Sequence, residues 1–141
     1  MANPLEGGIL NLTYETRFDA AHCLEGYPGK CAAVHGHTYR LLVVVSGRAS
    51  PETGMVVDFQ ELKKLVDTVV DLVDHTYLNS IQHFGGRPTA ERLVAFLGKC
   101  INDSIHEHFE DTILLEYVRL WETPDCSAGY SPRGRVVLVN D

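Results

Sequence analysis

The feature that narrows the fold most is the order in which two hydrophobic periods occur along the chain. Before residue 58 the apolar residues gather into strand-like runs. Residues 10–21 read as one strand and HTYRLLVVVSG (His37–Gly47) as a second, rich in β-branched side chains. SPETG (Ser50–Gly54) is a turn cluster that closes this strand-rich part of the chain. Then Phe59, Leu62, Leu65, Val66, Val69, Leu72 and Val73 recur every three or four residues, which predicts a helix with one buried stripe. Asp58 and Glu61 stand at capping-box spacing in front of it. A second helix is predicted over TAERLVAFLGKCINDSIHEHF, with Thr89 as N-cap and Leu93, Leu97, Ile101 and Ile105 on one face. TILLEYVRLWET alternates as a strand, with Leu114, Val118 and Leu120 on one side, and GRVVLV reads as a last strand.

Strand–strand–helix–helix–strand–strand implies an α+β domain: a four-stranded antiparallel sheet with two helices on one face. The whole chain, residues 1–141, is read as that single domain. The other sheet face carries Arg40, Arg119 or Tyr117, depending on register, and an open face of this kind is expected to be covered by another subunit. A chain of 141 residues buries roughly two thirds of its unfolded surface, so it needs neither disulfide nor metal to hold a core.

Composition excludes some classes. A net charge of −7 argues against non-specific nucleic-acid binding, which needs a basic face. No apolar run approaches a membrane span. MANPLEGGIL has no basic n-region and no long apolar run, so an unexported, cytoplasmic protein is expected. Cys23, Cys31, Cys100 and Cys126 form no CxxC pair, and reduced thiols fit that compartment.

The candidate chemistry starts in CAAVHGH. Residues i and i+2 on a strand share a face, so His35 and His37 project side by side with Gly36 between them. His22, ending the first strand in FDAAH, can supply a third imidazole. Three neutral imidazoles leave one position open, the layout of a catalytic zinc site. The plainer alternative is a set of hydrogen-bonded surface histidines. Cys31 has two readings: a fourth ligand closing a structural site, or a nucleophile or base beside an open one. Cys23 is expected to point away from His22 into the core. Asp74-His75, at a helix end, is either a carboxylate–imidazole proton shuttle or a solvated pair. Glu122, at a strand end in LWET, could accept two N–H groups from a planar amino-heterocycle. Lys30 and Arg87 are candidates for phosphate contact or plain surface charges. His83, His106 and His108 are given no site role.

In this order, FDAAH, CAAVHGH, TGMVVDFQELK, LVDHTYLN, PTAE and WET resemble the 6-pyruvoyl-tetrahydropterin synthase / 6-carboxy-tetrahydropterin synthase superfamily, over about Phe18–Tyr130. The resemblance implies the tunnelling fold, in which sheets of neighbouring subunits join into a barrel. It also implies a hexamer of two stacked trimers, with active sites between subunits. It makes His22, His35 and His37 ligands of Zn²⁺ and Cys31 the base that takes a proton from the substrate side chain. Asp74 and His75 become the acid–base dyad and Glu122 the anchor of the pterin ring. Thr123, Thr89 and Glu91 are its weaker candidates for substrate or interface contacts. The short Cys31–His35 spacing is similar to the carboxy-forming branch of the queuosine and 7-deazaguanine pathway. That branch converts the small molecule 7,8-dihydroneopterin triphosphate into 6-carboxy-5,6,7,8-tetrahydropterin, acetaldehyde and triphosphate. Arg87 and the tail SPRGRVVLVND depart from the usual pattern. A pyruvoyl-forming synthase, a non-catalytic zinc-stabilised oligomer and a pterin-binding protein without turnover are the alternatives.

Overall fold

The computed structural model describes residues 3–134. Strands β1 (Leu10–His22) and β2 (His35–Gly47) pair antiparallel along their whole length, from Leu10 opposite Gly47 to His22 opposite His35. Helix α1 (Phe59–Val70) starts where the Asp58 side chain accepts the Gln60 N–H at 2.8 Å, which satisfies one of the free donors of its first turn. Strand β3 (Thr76–Tyr77) is two residues long. Helix α2 (Ala90–Phe109) is capped by Thr89, whose hydroxyl accepts the Arg92 N–H. Strands β4 (Ile113–Thr123) and β5 (Cys126–Tyr130) close the order as a hairpin.

Among the described residues the sheet has five strands, in the order β3-β1-β2-β4-β5, and it is mixed because β3 runs parallel to β1. This corrects the expected four-stranded antiparallel sheet. A two-residue strand has no period to detect, and its pairing of Ala20 with Thr76 and Ala21 with Tyr77 depends on the helix between them. The fifth strand lies at Cys126–Tyr130. The strand expected at GRVVLV lies outside the described residues, apart from its first glycine.

One core joins both helices to one face of the sheet. Phe18, Ala20, Tyr39, Leu41, Val43, Val45, Val118 and Leu120 alternate along the strands and meet Leu62, Val66 and Val69 of α1 and Leu93, Leu97, Ile101 and Ile105 of α2. Each buried Val, Leu, Ile or Phe among them stabilises the fold by about 1.5–3 kcal/mol relative to exposure. Two members of the expected α1 stripe are instead exposed. Phe59 stands at the first residue of the helix, and Leu72 falls beyond its end.

Strand β4 departs from strict alternation. Val44 pairs with Tyr117 but Val45 with Leu115, so Glu116 is an extra residue, a β-bulge. Ile113 and Leu115 therefore share the inner face with Val118 and Leu120, and Leu114 turns outward. The outer face carries all three residues anticipated there. Arg40 lies opposite Trp121, Leu42 opposite Arg119 and Val44 opposite Tyr117. The Arg40 guanidinium lies 3.8 Å above the Trp121 ring. Among the described residues no helix is long and apolar enough to cross a membrane.

Candidate metal centre

His22 is the last residue of β1 and pairs with His35, the first of β2; His37 follows two residues on. All three project from the helix-covered face, because they share parity with buried Phe18 and Ala20 on β1 and Tyr39 on β2. One donor nitrogen from each lies within 4.8 Å of the other two. The ring centroids are 4.6, 4.9 and 5.2 Å apart.

The hydrogen bonds fix the tautomers of two rings. His22 Nδ1 lies 2.8 Å from the Pro88 carbonyl oxygen, and His35 Nδ1 lies 2.8 Å from that of Ala33. A carbonyl oxygen only accepts, so both Nδ1 atoms must carry the proton. Neutral rings then present two bare Nε2 lone pairs to each other across 3.0 Å. Glu122 Oε1 adds negative charge 3.4 Å from His22 Nε2 and 3.7 Å from His37 Nε2. Such a group of lone pairs calls for a cation. Two nitrogens bound tetrahedrally to zinc at about 2.0–2.1 Å would be about 3.3 Å apart, close to the spacing found here. Burial pushes His37 below the ordinary imidazole value, His22 and His35 add to this, and Glu122 opposes it. A ring held neutral in this way suits metal ligation. The donor set therefore fits zinc.

Glu122 owes its position to a second irregularity. Trp121 pairs with Ser127 and Thr123 with Cys126, so Glu122 is the extra residue at the end of β4. It continues the inner face of Val118 and Leu120 toward the imidazoles. Tyr39, fully buried, stacks on Phe18 with centroids 5.0 Å apart and presents its edge to His37 at 5.6 Å. Burial and then Glu122 push its phenol upward, so it stays protonated.

Asp74 and His75 are placed elsewhere. Asp74 Oδ1 lies 2.9 Å from His75 Nδ1 and accepts the Asp19 N–H at 3.0 Å. The His75 N–H donates to the Asp19 carbonyl at 2.6 Å, and His75 itself has φ of 58°. The Asp19 N–H, with His75 assisting, outweighs burial and holds Asp74 below the usual carboxylate range. Thr38 donates its hydroxyl to Asp19 Oδ1 at 2.5 Å. Asp19, Gly36, His37, Thr38, His75 and Tyr77 are among the residues that line an open cavity of about 520 Å³. Asp19, Ala21, Gly36 and Thr38 have the parity opposite to His22 and His37. The dyad clusters with Asp19 toward the outer side of the sheet, the three imidazoles cluster on the inner side, and His37 borders the cavity that His75 lines.

Cys31 sits on a single 3-10 turn, Lys30–Ala32, just ahead of β2, and is half-buried. The Leu24 N–H donates to its carbonyl at 2.7 Å, which folds this turn back onto the end of β1. Its sulfur is not one of the donors that converge with the three imidazoles.

The 6-pyruvoyl tetrahydropterin synthase family model matches residues 11–133 of the chain. The chain belongs to this family. The 6-carboxy-5,6,7,8-tetrahydropterin synthase of Haemophilus influenzae is 34% identical over 146 residues, covering 86% of this chain and 99% of its own. The dihydroneopterin monophosphate aldolase of Pyrococcus furiosus is 36% identical over 111 residues, covering 79% and 88%. The solved structure of the Caenorhabditis elegans 6-pyruvoyl tetrahydropterin synthase superposes with a TM-score of 0.78 at 28% identity, over 88% of this chain and 96% of that one.

Within this family member, the remaining sequence candidates divide. Thr123 ends β4 beside Glu122. Thr89 is engaged as the α2 cap, and Glu91, in the first turn of α2, is exposed. Lys30 and Arg87 are both exposed. Cys23 is buried, as expected for a core thiol. Sequence reading gave no part to Asp19, Thr38, Tyr39 or Asn79. Asp19 and Asn79 act across more than 50 residues of chain, for which a single sequence carries no signal.

Proposed function

We propose that the chain is a zinc-dependent 6-carboxy-5,6,7,8-tetrahydropterin synthase. It converts 7,8-dihydroneopterin triphosphate and one water into 6-carboxy-tetrahydropterin, acetaldehyde and triphosphate. One observation carries this most directly: three imidazoles converge with two Nδ1–H groups committed to carbonyls, in a chain similar to a synthase of that name along nearly its whole length.

His22, His35 and His37 would hold the zinc. When bound, zinc supplies Lewis acidity toward the hydroxyl oxygens of the substrate side chain. The chain's own groups do the rest. Cys31, on the turn leading into β2, takes a carbon-bound proton as thiolate. His75 moves a proton at Nε2, because Asp74 engages its Nδ1. Glu122 accepts N–H groups of the pterin ring, which orients it beside the imidazoles. General acid–base steps of this kind are each worth about 10²–10⁴-fold.

The opposite facing of the dyad and the imidazoles supports an active site shared between subunits. One chain's His75 then serves a substrate held by a neighbour's imidazoles. The half-exposed outer face, with Leu42, Val44 and Trp121, is the surface on which the neighbour would pack. A hexamer of two stacked trimers and a cytoplasmic location belong to this proposal.

The test is to incubate zinc-loaded protein with 7,8-dihydroneopterin triphosphate and identify products by mass spectrometry. Acetaldehyde and 6-carboxy-tetrahydropterin are expected. A three-carbon side chain retained as pyruvoyl would move the chain to the pyruvoyl-forming branch. No turnover by metal-replete protein would overturn the enzymatic assignment.

A further inference from the structure

His22 has an exposed weakness in its support. On one side it pairs with His35. On the other, the β1–β3 ladder stops one residue short of it, at Ala21 opposite Tyr77. The next peptide would leave its N–H and carbonyl unpaired toward that edge, and Cys23, which owns them, is buried. A buried peptide group without partners moves until it finds some.

Asn79 supplies the partners. Its Oδ1 accepts the Cys23 N–H at 2.9 Å, and its Nδ2 donates to the Cys23 carbonyl at 2.8 Å. The carboxamide thus imitates one more residue of β3 and extends the ladder past His22. Asn79 is itself fixed, in the middle of a short 3-10 turn, Leu78–Ser80, whose Leu78 is fully buried in the core. Cys23 Sγ adds contacts to Tyr77 Oη at 3.1 Å and to Asn79 Nδ2 at 3.5 Å. Four residues before Asn79 stands His75, tied to Asp19 of the same strand.

We propose that Asn79 is a positioning residue for the metal centre: its carboxamide clamps the Cys23 peptide and thereby sets where β1 ends and where His22 presents Nε2. This rests on the assignment of His22, His35 and His37 as metal ligands. The Pro88 carbonyl, 2.8 Å from Nδ1, orients the His22 ring but does not hold the backbone beneath it, which Asn79 does.

The experiment is a cobalt titration of the full chain, followed by visible absorption of the bound ion, with circular dichroism and the thermal midpoint of the metal-free protein measured in parallel. Loss of supports outside the ligand shell costs about 10–100-fold in metal affinity. Asn79→Ala is expected to weaken cobalt binding at least about tenfold and to alter the absorption band, with helical content retained. Asn79→Asp keeps the oxygen that faces the Cys23 N–H but turns a second acceptor toward the Cys23 carbonyl in place of the donor, so its cobalt affinity should also fall. Cys23→Ala removes the thiol contacts and leaves the clamp, so its affinity should match wild type. Wild-type affinity and spectrum in both Asn79 variants would overturn the proposal, even if their thermal midpoints fell. So would a loss in Cys23→Ala equal to that in Asn79→Ala. Should the wild-type chain bind no cobalt or zinc at all, the metal assignment itself falls, and this inference with it.

Discussion

Asp19 grips both members of the Asp74–His75 pair with a single residue's backbone: its N–H reaches Asp74 Oδ1 at 3.0 Å and its carbonyl receives the His75 N–H at 2.6 Å. This bond lowers the Asp74 pKa below its ordinary value of 3.8. A depressed carboxyl pKa stabilises the fold only while the group is charged. The contribution is whole above about pH 4 and is lost as pH falls through the still lower folded value. Asp74→Asn should therefore flatten the dependence of the thermal midpoint on pH below about 4, measured against wild type in the same buffers. The same variant releases His75 from its fixed tautomer. Turnover should fall by about 10²–10⁴-fold, while zinc content should stay unchanged because neither Asp74 nor His75 is among the three converging imidazoles.

His22 and His35 set up a second prediction. Their Nε2 atoms face each other across 3.0 Å, a spacing that a bound cation would bridge. A ligand that binds only the folded state stabilises it by about 4 kcal/mol at a free concentration 1,000 times its dissociation constant. Zinc should raise the thermal midpoint of the wild type by several degrees, and a chelator should reverse the shift. His35→Ala should retain its fold, bind zinc far more weakly and lose most of that shift. Scanning calorimetry with and without zinc checks both.

How much of this was legible from sequence depends on the range over which each cause acts. The shared face of His35 and His37 is a matter of two residues, and the α2 stripe is local as well; both can be read from spacing. Leu114, expected on the side of Val118 and Leu120, lies on the other side, because the bulge at Glu116 reverses parity in mid-strand and only the register against β2 reveals it. Likewise β3 has too few residues to announce itself, yet it anchors the segment that carries His75 and Asn79. The separation of the dyad from the imidazoles was hidden for the same reason. It follows from which face of β1 receives residues 74–75, a tertiary fact. Asp19 lay within a motif already noted, but its role is played largely by its peptide group, which every residue has.

Gly98 tests the packing beneath the site. A methyl group there would sit 2.2 Å from Tyr130 Cδ1, well inside contact distance. Tyr130 lies on β5, packed against the core, in the hairpin that carries Glu122. Overpacking of this kind typically costs about 1–3 kcal/mol. Gly98→Ala should lower the midpoint of chemical denaturation by that equivalent with an unchanged slope. A neutral result would show that the Tyr130 ring has room to move.

Cys31 decides between an open and a closed metal site. Its sulfur stands apart from the three converging donors, on a turn held through the Leu24 N–H rather than through the thiol. Replacing the thiol should leave that turn intact. If Cys31 acts as base, Cys31→Ala binds one zinc per chain with wild-type affinity and keeps the zinc-dependent thermal shift. Its turnover on 7,8-dihydroneopterin triphosphate then falls by about 10²–10⁴-fold. If Cys31 instead closes a structural site, the same variant loses zinc and thermal stability together. Metal analysis of the gel-filtered variant, read beside its activity, separates the two: a full zinc complement with little turnover is the expected result, and zinc-free protein would exclude the catalytic role.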